Sequence, residues 1–212
     1  MEEKRKGSIA GMSRRTFAMG AGGAAALLAM GGLKVVPAQA RVRPPGGQDE
    51  EHLVSACIRC ERCIEACPNG ALAPAHLENG VLGVRTPTVD YDVGWCDFCT
   101  EANNGVPRCV KFCPTEALQL PLGATAENTV VGKAVINQNW CLAWSKANGC
   151  KFCFDACPYK AIEMDENKHP YVISSACTGC GACQNACVSL QEGSIAVGAT
   201  TRAIIVIPEE EA

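Results

Sequence analysis

Sixteen cysteines fall into four groups of four, and no other residue type recurs at a spacing that could do chemistry. The first group is Cys57, Cys60, Cys63 and Cys67, followed by Pro68. The last is Cys177, Cys180, Cys183 and Cys187, with the same spacing but Val188 in place of the proline. Between them lie Cys96, Cys99, Cys109 and Cys113, then Cys141, Cys150, Cys153 and Cys157. Each of these inner groups carries an inserted loop and ends in a proline, Pro114 or Pro158. The C-x2-C-x2-C-x3-C-P run is the ligand spacing of bacterial ferredoxins for a [4Fe–4S] cluster. Each iron corner of such a cube takes one thiolate, and in two-cluster ferredoxins the remote fourth cysteine serves the other cluster. The proline fixes φ and turns the chain away. Sixteen cysteines supply four cubes with no ligand left over, which implies one-electron transfer rather than the making of substrate bonds.

The fourth cysteine of one motif must find a partner motif. Motifs two (96–113) and three (141–157) are both interrupted and adjacent, and motifs one (57–67) and four (177–187) are regular and outermost. An outer–outer and inner–inner pairing is therefore expected. It gives the sets Cys57/Cys60/Cys63/Cys187, Cys177/Cys180/Cys183/Cys67, Cys96/Cys99/Cys109/Cys157 and Cys141/Cys150/Cys153/Cys113. Sequential pairing, one with two and three with four, is the alternative.

Two other uses of cysteine compete. Eight disulfides would make a disulfide-rich secreted binding protein. The triple C-x2-C-x2-C run and the residues after each fourth cysteine argue for clusters instead. Zinc knuckles use isolated C-x2-C pairs and have no need of the third cysteine. His52, His76 and His169 are scattered without ligand spacing, and read as surface or structural. Trp95 and Trp140, each just before an inner motif, read first as packing residues and second as shields between a cluster and water. Gly20-Ala21-Gly22-Gly23 follows no strand and is no nucleotide loop.

The elements that must position the thiols repeat with them. Ala71-Leu72, Ala117-Leu118, Ala161-Ile162 and Ser194-Ile195 each follow a motif by a few residues. Each unit reads as strand, cysteine loop, short helix and second strand. Candidate strands are Val81–Val84, Val130–Ile136, Tyr171–Ile173 and Ala203–Ile207. The expected fold class is α+β, with two bacterial ferredoxin-like modules, tandem or nested, each holding two clusters. Residues 55–207 would form this domain, preceded by an extended Pro/Gly linker over 41–54 and followed by an acidic tail over 208–212.

Aromatic residues are only 5% of the 212, so a thin core stapled by metal is expected. The net charge of −3 and the absence of a basic stripe exclude nucleic acid as a partner. Residues 1–40 have the layout of an export signal: Lys4-Arg5-Lys6, then Ser13-Arg14-Arg15-Thr16-Phe17, an apolar Gly/Ala-rich run from Ala18 to Leu33, and Pro37-Ala38-Gln39-Ala40. The paired arginines resemble a twin-arginine (Tat) signal, a route that carries folded, cofactor-loaded proteins. An uncleaved membrane anchor is the alternative. Cleavage after Ala40 would remove six of the 19 basic residues and two of the 22 acidic ones, leaving a net −7.

Together the Tat-type leader, Arg41-Val42-Arg43-Pro44-Pro45-Gly46, Ser55-Ala56 before the first motif, and Ala176-Cys177-Thr178-Gly179-Cys180-Gly181 resemble the MauM/NapG family of ferredoxin-type proteins. The resemblance covers Arg41 to about Ile207. It implies a periplasmic, non-catalytic electron carrier with four [4Fe–4S] clusters, all sixteen cysteines acting as iron ligands. It implies a membrane-bound quinol dehydrogenase of the NapH type as electron donor, a periplasmic reductase or cytochrome c as acceptor, and the Tat translocase during export. Service to nitrate reduction, to methylamine utilisation, or to another exported oxidoreductase are the alternatives within that family.

Overall fold

The computed structural model describes residues 41–77, 82–100, 105–146, 149–192 and 198–209. The leader, Gly20–Gly23, Val81, Ser194-Ile195 and Glu210-Glu211 lie outside the described residues. All the described residues belong to one compact unit running from Ala38.

Helix α1, Glu50–Ala56, opens the first half. Asp49 caps it, its side chain accepting from the His52 amide at 2.9 Å, and Glu50 and Glu51 face the positive end of the helix dipole. The helix stops at Cys57 and so fixes the first ligand position. Its Leu53 is fully buried against Leu72, Cys109 and Leu118, worth about 1.5–3 kcal/mol. A one-turn α2, Arg62–Glu65, carries Cys63, and α3, Arg108–Lys111, carries Cys109. These two short helices pack together. Strand β1, Leu72–Pro74, pairs antiparallel with β2, Pro87–Val89.

The second half repeats the plan more completely. Strand β3, Lys133–Ile136, leads through α4, Leu142–Lys146, and α5, Phe152–Ala156, to the hairpin of β4, Ile162–Met164, and β5, Pro170–Val172. Then α6, Ala182–Asn185, packs on α5, and β6, Ile204–Ile207, closes antiparallel on β3. Among the described residues the first half has no outer ladder of the β3/β6 type. One backbone bond from the Gln119 amide to the Gly46 carbonyl, 2.9 Å, stands in its place. Pro44 and Pro45 have no amide hydrogen to give, so a ladder could not run through them.

Three sequence expectations are corrected. Residues 82–85 form a turn, and the strand lies at Pro87–Val89 instead of Val81–Val84. The Val130–Ile136 strand begins only at Lys133. Residues 41–54 are not a linker. Val42 joins the core of the second half, Pro44 and Pro45 are fully buried, and Arg43 is only 4% exposed. Its guanidinium donates to Glu50 (2.5 and 2.6 Å), Thr86 Oγ1 (2.9 Å) and the Pro87 carbonyl (2.8 Å). A buried charge is stable only when its donors are met, as they are here. Composition alone read Pro and Gly as solvated, whereas proline rigidity suits a segment packed flat on a core.

Candidate iron–sulfur site

Helix packing and hairpins bring the sixteen cysteines into four groups. Cys57, Cys60 and Cys63 meet Cys113 around one pocket. Cys96, Cys99 and Cys109 meet Cys67. Cys177, Cys180 and Cys183 meet Cys157. Cys141, Cys150 and Cys153 meet Cys187 around another. In each, three cysteines of one motif are joined by the fourth of another, as the spacing predicted. The partner motif is not the one expected. Motif one exchanges its fourth cysteine with motif two, and motif three with motif four. The cause is local: the β1/β2 hairpin folds motif two straight back onto motif one, and β4/β5 does the same for motifs three and four. The inserted loops that made the inner motifs look alike do not decide which helix packs on which.

The residues present fit [4Fe–4S] clusters on several independent grounds. All sixteen cysteines are free thiols. Among the described residues no three His, Cys, Asp or Glu side chains converge closely enough to hold a single metal ion. A zinc site would draw its sulfurs to about 2.3 Å of one centre. The loops are shaped for an anion: Arg59 and Glu61 flank Cys60 with φ of 57° and 63°, and Gly179 and Gly181 flank Cys180 with φ of 75° and 81°. Alternating conformations of this kind turn successive amides into an anion-binding concavity, a form found at many iron–sulfur sites. Amides also donate to thiols directly: Arg59 N to Cys57 Sγ (3.4 Å), Ala134 N to Cys177 Sγ (3.4 Å) and Ala161 N to Cys157 Sγ (3.2 Å). Thr178 is buried beside Cys180, where its hydroxyl loosens the thiol's hold on its proton.

Burial makes the thiolate forms costly. Burial first, then repulsion from neighbouring thiols, pushes Cys63 and Cys153 up to about 12. Burial also pushes Cys96 up to about 12 and Cys180 to about 11. Cys109 and Cys183 rise for the same reason. Four thiolates in such a pocket are stable only against positive charge, which iron supplies.

The groups are linked one to the next. Cys109 lies close enough to Cys63 for a charge on one to be felt by the other, linking the first group to the second. Cys183 and Cys153 are near each other in the same way and link the third group to the fourth. The middle is a tight junction. The Cys96 amide donates to the Cys180 carbonyl at 2.9 Å. Tyr91 is buried beside it; its hydroxyl donates to the Gly179 carbonyl at 2.5 Å, and its carbonyl accepts from Asn185 Nδ2 at 3.0 Å. Tyr159 feels both Cys180 and Cys96, and burial pushes its phenol up to about 12. Sequence reasoning missed both tyrosines, because nothing in spacing marks a residue that acts between two motifs. Of the residues it did single out, His52 contacts the Glu116 carbonyl at 3.0 Å, and His169 stacks on Trp144 at 4.1 Å and pairs with Asp165 at 3.2 Å. Both are structural.

A chain whose two halves each exchange cysteines between paired motifs is a pair of ferredoxin-type modules. Profiles for a 4Fe-4S dicluster domain match residues 56–118 and 146–189, the same two halves. The ferredoxin-type protein NapG of Escherichia coli is 34% identical over 192 residues, 84% of this chain and 80% of its own length. The methylamine utilization ferredoxin-type protein MauM of Methylophilus methylotrophus is 38% identical over 188 residues, 82% of this chain and 79% of its own. The ferredoxin-type protein NapF of Escherichia coli is 32% identical over 152 residues, 69% and 79% of the two chains. This chain belongs to the NapG/MauM family of ferredoxin-type proteins, and it is an iron–sulfur electron-transfer protein.

Proposed function

We propose that this protein carries four [4Fe–4S] clusters in line and relays electrons in the periplasm between a quinol-oxidising membrane partner of the NapH type and a periplasmic reductase or cytochrome c. Each bound cluster would accept and release one electron. The protein's own work is to hold neighbouring groups close, keep water out and stabilise negative sulfur. Cys96 and Cys180 hold the central pair together, with Tyr91 filling the space beside them. The buried Cys99, Cys109, Cys177, Cys180 and Cys183 keep the middle of the row dry. Cys60 is the exposed cysteine, in a group with no fully buried member, and its end is the accessible terminus for a redox partner. The observation that carries this reading is the set of four four-cysteine groups linked one to the next. Export by the Tat route rests on the Arg14-Arg15 leader and fits a cofactor loaded before translocation.

Iron and sulfide analysis of anaerobically purified protein tests it, with EPR-monitored reduction. Four clusters per chain are expected. A colourless protein with oxidised thiols would instead mean the disulfide-rich binding protein. Service to methylamine oxidation is the second reading, favoured by the 38% identity to MauM. Reconstitution with a periplasmic nitrate reductase decides between them: electron delivery supports the nitrate route, and its absence leaves the methylamine route.

A further inference from the structure

The buried hydroxyl of Ser189 lies two residues beyond Cys187 and is 2% exposed. Its Oγ accepts from the Ala203 amide at 2.8 Å and, while Cys187 is a free thiol, from Cys187 Sγ at 3.4 Å. The Ala203 amide can only donate, so the hydroxyl hydrogen of Ser189 is not used there. A cysteine bound to iron has lost its proton and can only accept. The bond between the two side chains must then run from Ser189 O–H to Cys187 Sγ. The Ala203 amide, at the edge of β6, holds the oxygen in place and leaves the hydrogen aimed at sulfur.

Hydrogen bonds to cluster sulfurs are among the levers that set reduction potential. They favour the more negatively charged, reduced form, so they raise the potential. The corresponding residues of motifs one and two offer less. Thr115 Oγ1 is 3.9 Å from Cys113 Sγ and only half-buried. Asn69 turns its amide to the Trp95 carbonyl, 3.1 Å away. We infer that Ser189 is a positioning residue that raises the potential of the cluster held by Cys141, Cys150, Cys153 and Cys187, and is dispensable for assembling it. This rests on the four-cluster reading above.

The test is an EPR-monitored redox titration of the full-length holoprotein carrying Ser189→Ala or Ser189→Thr. The affected signal is identified as the one missing from Cys150→Ala. Ser189→Ala should keep four clusters and lower that one potential, shifting its reduced-to-oxidised ratio about tenfold, or ~59 mV for a one-electron couple. Ser189→Thr keeps the hydroxyl and should titrate as the unaltered protein. An unmoved potential in Ser189→Ala overturns the proposal. Loss of that cluster from Ser189→Ala also overturns it, since the hydroxyl would then serve assembly rather than potential. An unaltered protein lacking four clusters would refute the four-cluster reading itself, a result distinct from either.

Discussion

The Cys96 amide and the Cys180 carbonyl meet at 2.9 Å, so the two ferredoxin-type halves touch through the backbones of their own cysteine loops. Val42, Val89 and Tyr91 of the first half also pack in the apolar core of the second. The junction depends on a few directed bonds around Tyr91, and on glycines that let the loop come close.

Tyr91 is the first place to test that junction. Tyr91→Phe keeps the ring and removes the donor to the buried Gly179 carbonyl. An unpaired buried acceptor costs about 1–3 kcal/mol. The variant should keep its iron and unfold at a lower temperature than the parent. A parental melting temperature would show that this hydrogen bond is not structural.

Gly181 is the second. It has φ of 81°, and a Cβ there would overlap the Tyr91 ring. Left-handed strain and overpacking together cost about 3 kcal/mol or more. Gly181→Ala should melt far below the parent or fail to assemble the Cys180 cluster. Thermal unfolding with iron analysis checks this, and a variant that melts with the parent would contradict the packing described.

Arg43 tests whether residues 41–47 are part of the fold. Hydrogen bonds from a charged donor are worth about 1.5–3 kcal/mol. Arg43→Ala should lower stability by that order, measured by chemical denaturation. A segment acting only as a linker would show no change.

The protein has three tyrosines, and all three resist ionisation. Burial raises Tyr91 well above its usual value of 10 and Tyr159 to about 12, and the hydrogen bond to Glu163 raises Tyr171. The folded state therefore holds these protons more tightly than the unfolded chain. The stability this contributes is fully present below pH 10 and is lost as the pH rises through about 12. Tyrosinate absorbance should stay well below half-maximal at pH 10 in the folded protein. A midpoint at pH 10 would contradict the burial.

Much of this was legible in the sequence because thiol chemistry is written in spacing. Cys57, Cys60 and Cys63 announce their group without any structure. The strand at Ile204–Ile207 shows in its β-branched run. What spacing could not show is which group receives Cys67 or Cys113, because that is decided by hairpins a few residues long. Pro87–Val89 lacks the apolar signature that made Val81–Val84 look like the strand. Arg43 looked like a solvated linker charge, since only the folded chain brings Glu50, Thr86 and the Pro87 carbonyl around it. Tyr91 and Ser189 carry no motif at all; their meaning lies in what they face.

The exchange of fourth cysteines between neighbouring motifs is the central claim, and a double variant tests it most directly. Cys67 and Cys99 belong to one group in the structure, whereas an outer–outer pairing would place them in different clusters. Cluster content of Cys67→Ala/Cys99→Ala, read by iron analysis and EPR of the holoprotein, should show one cluster lost and three retained. Loss of two clusters would contradict the account.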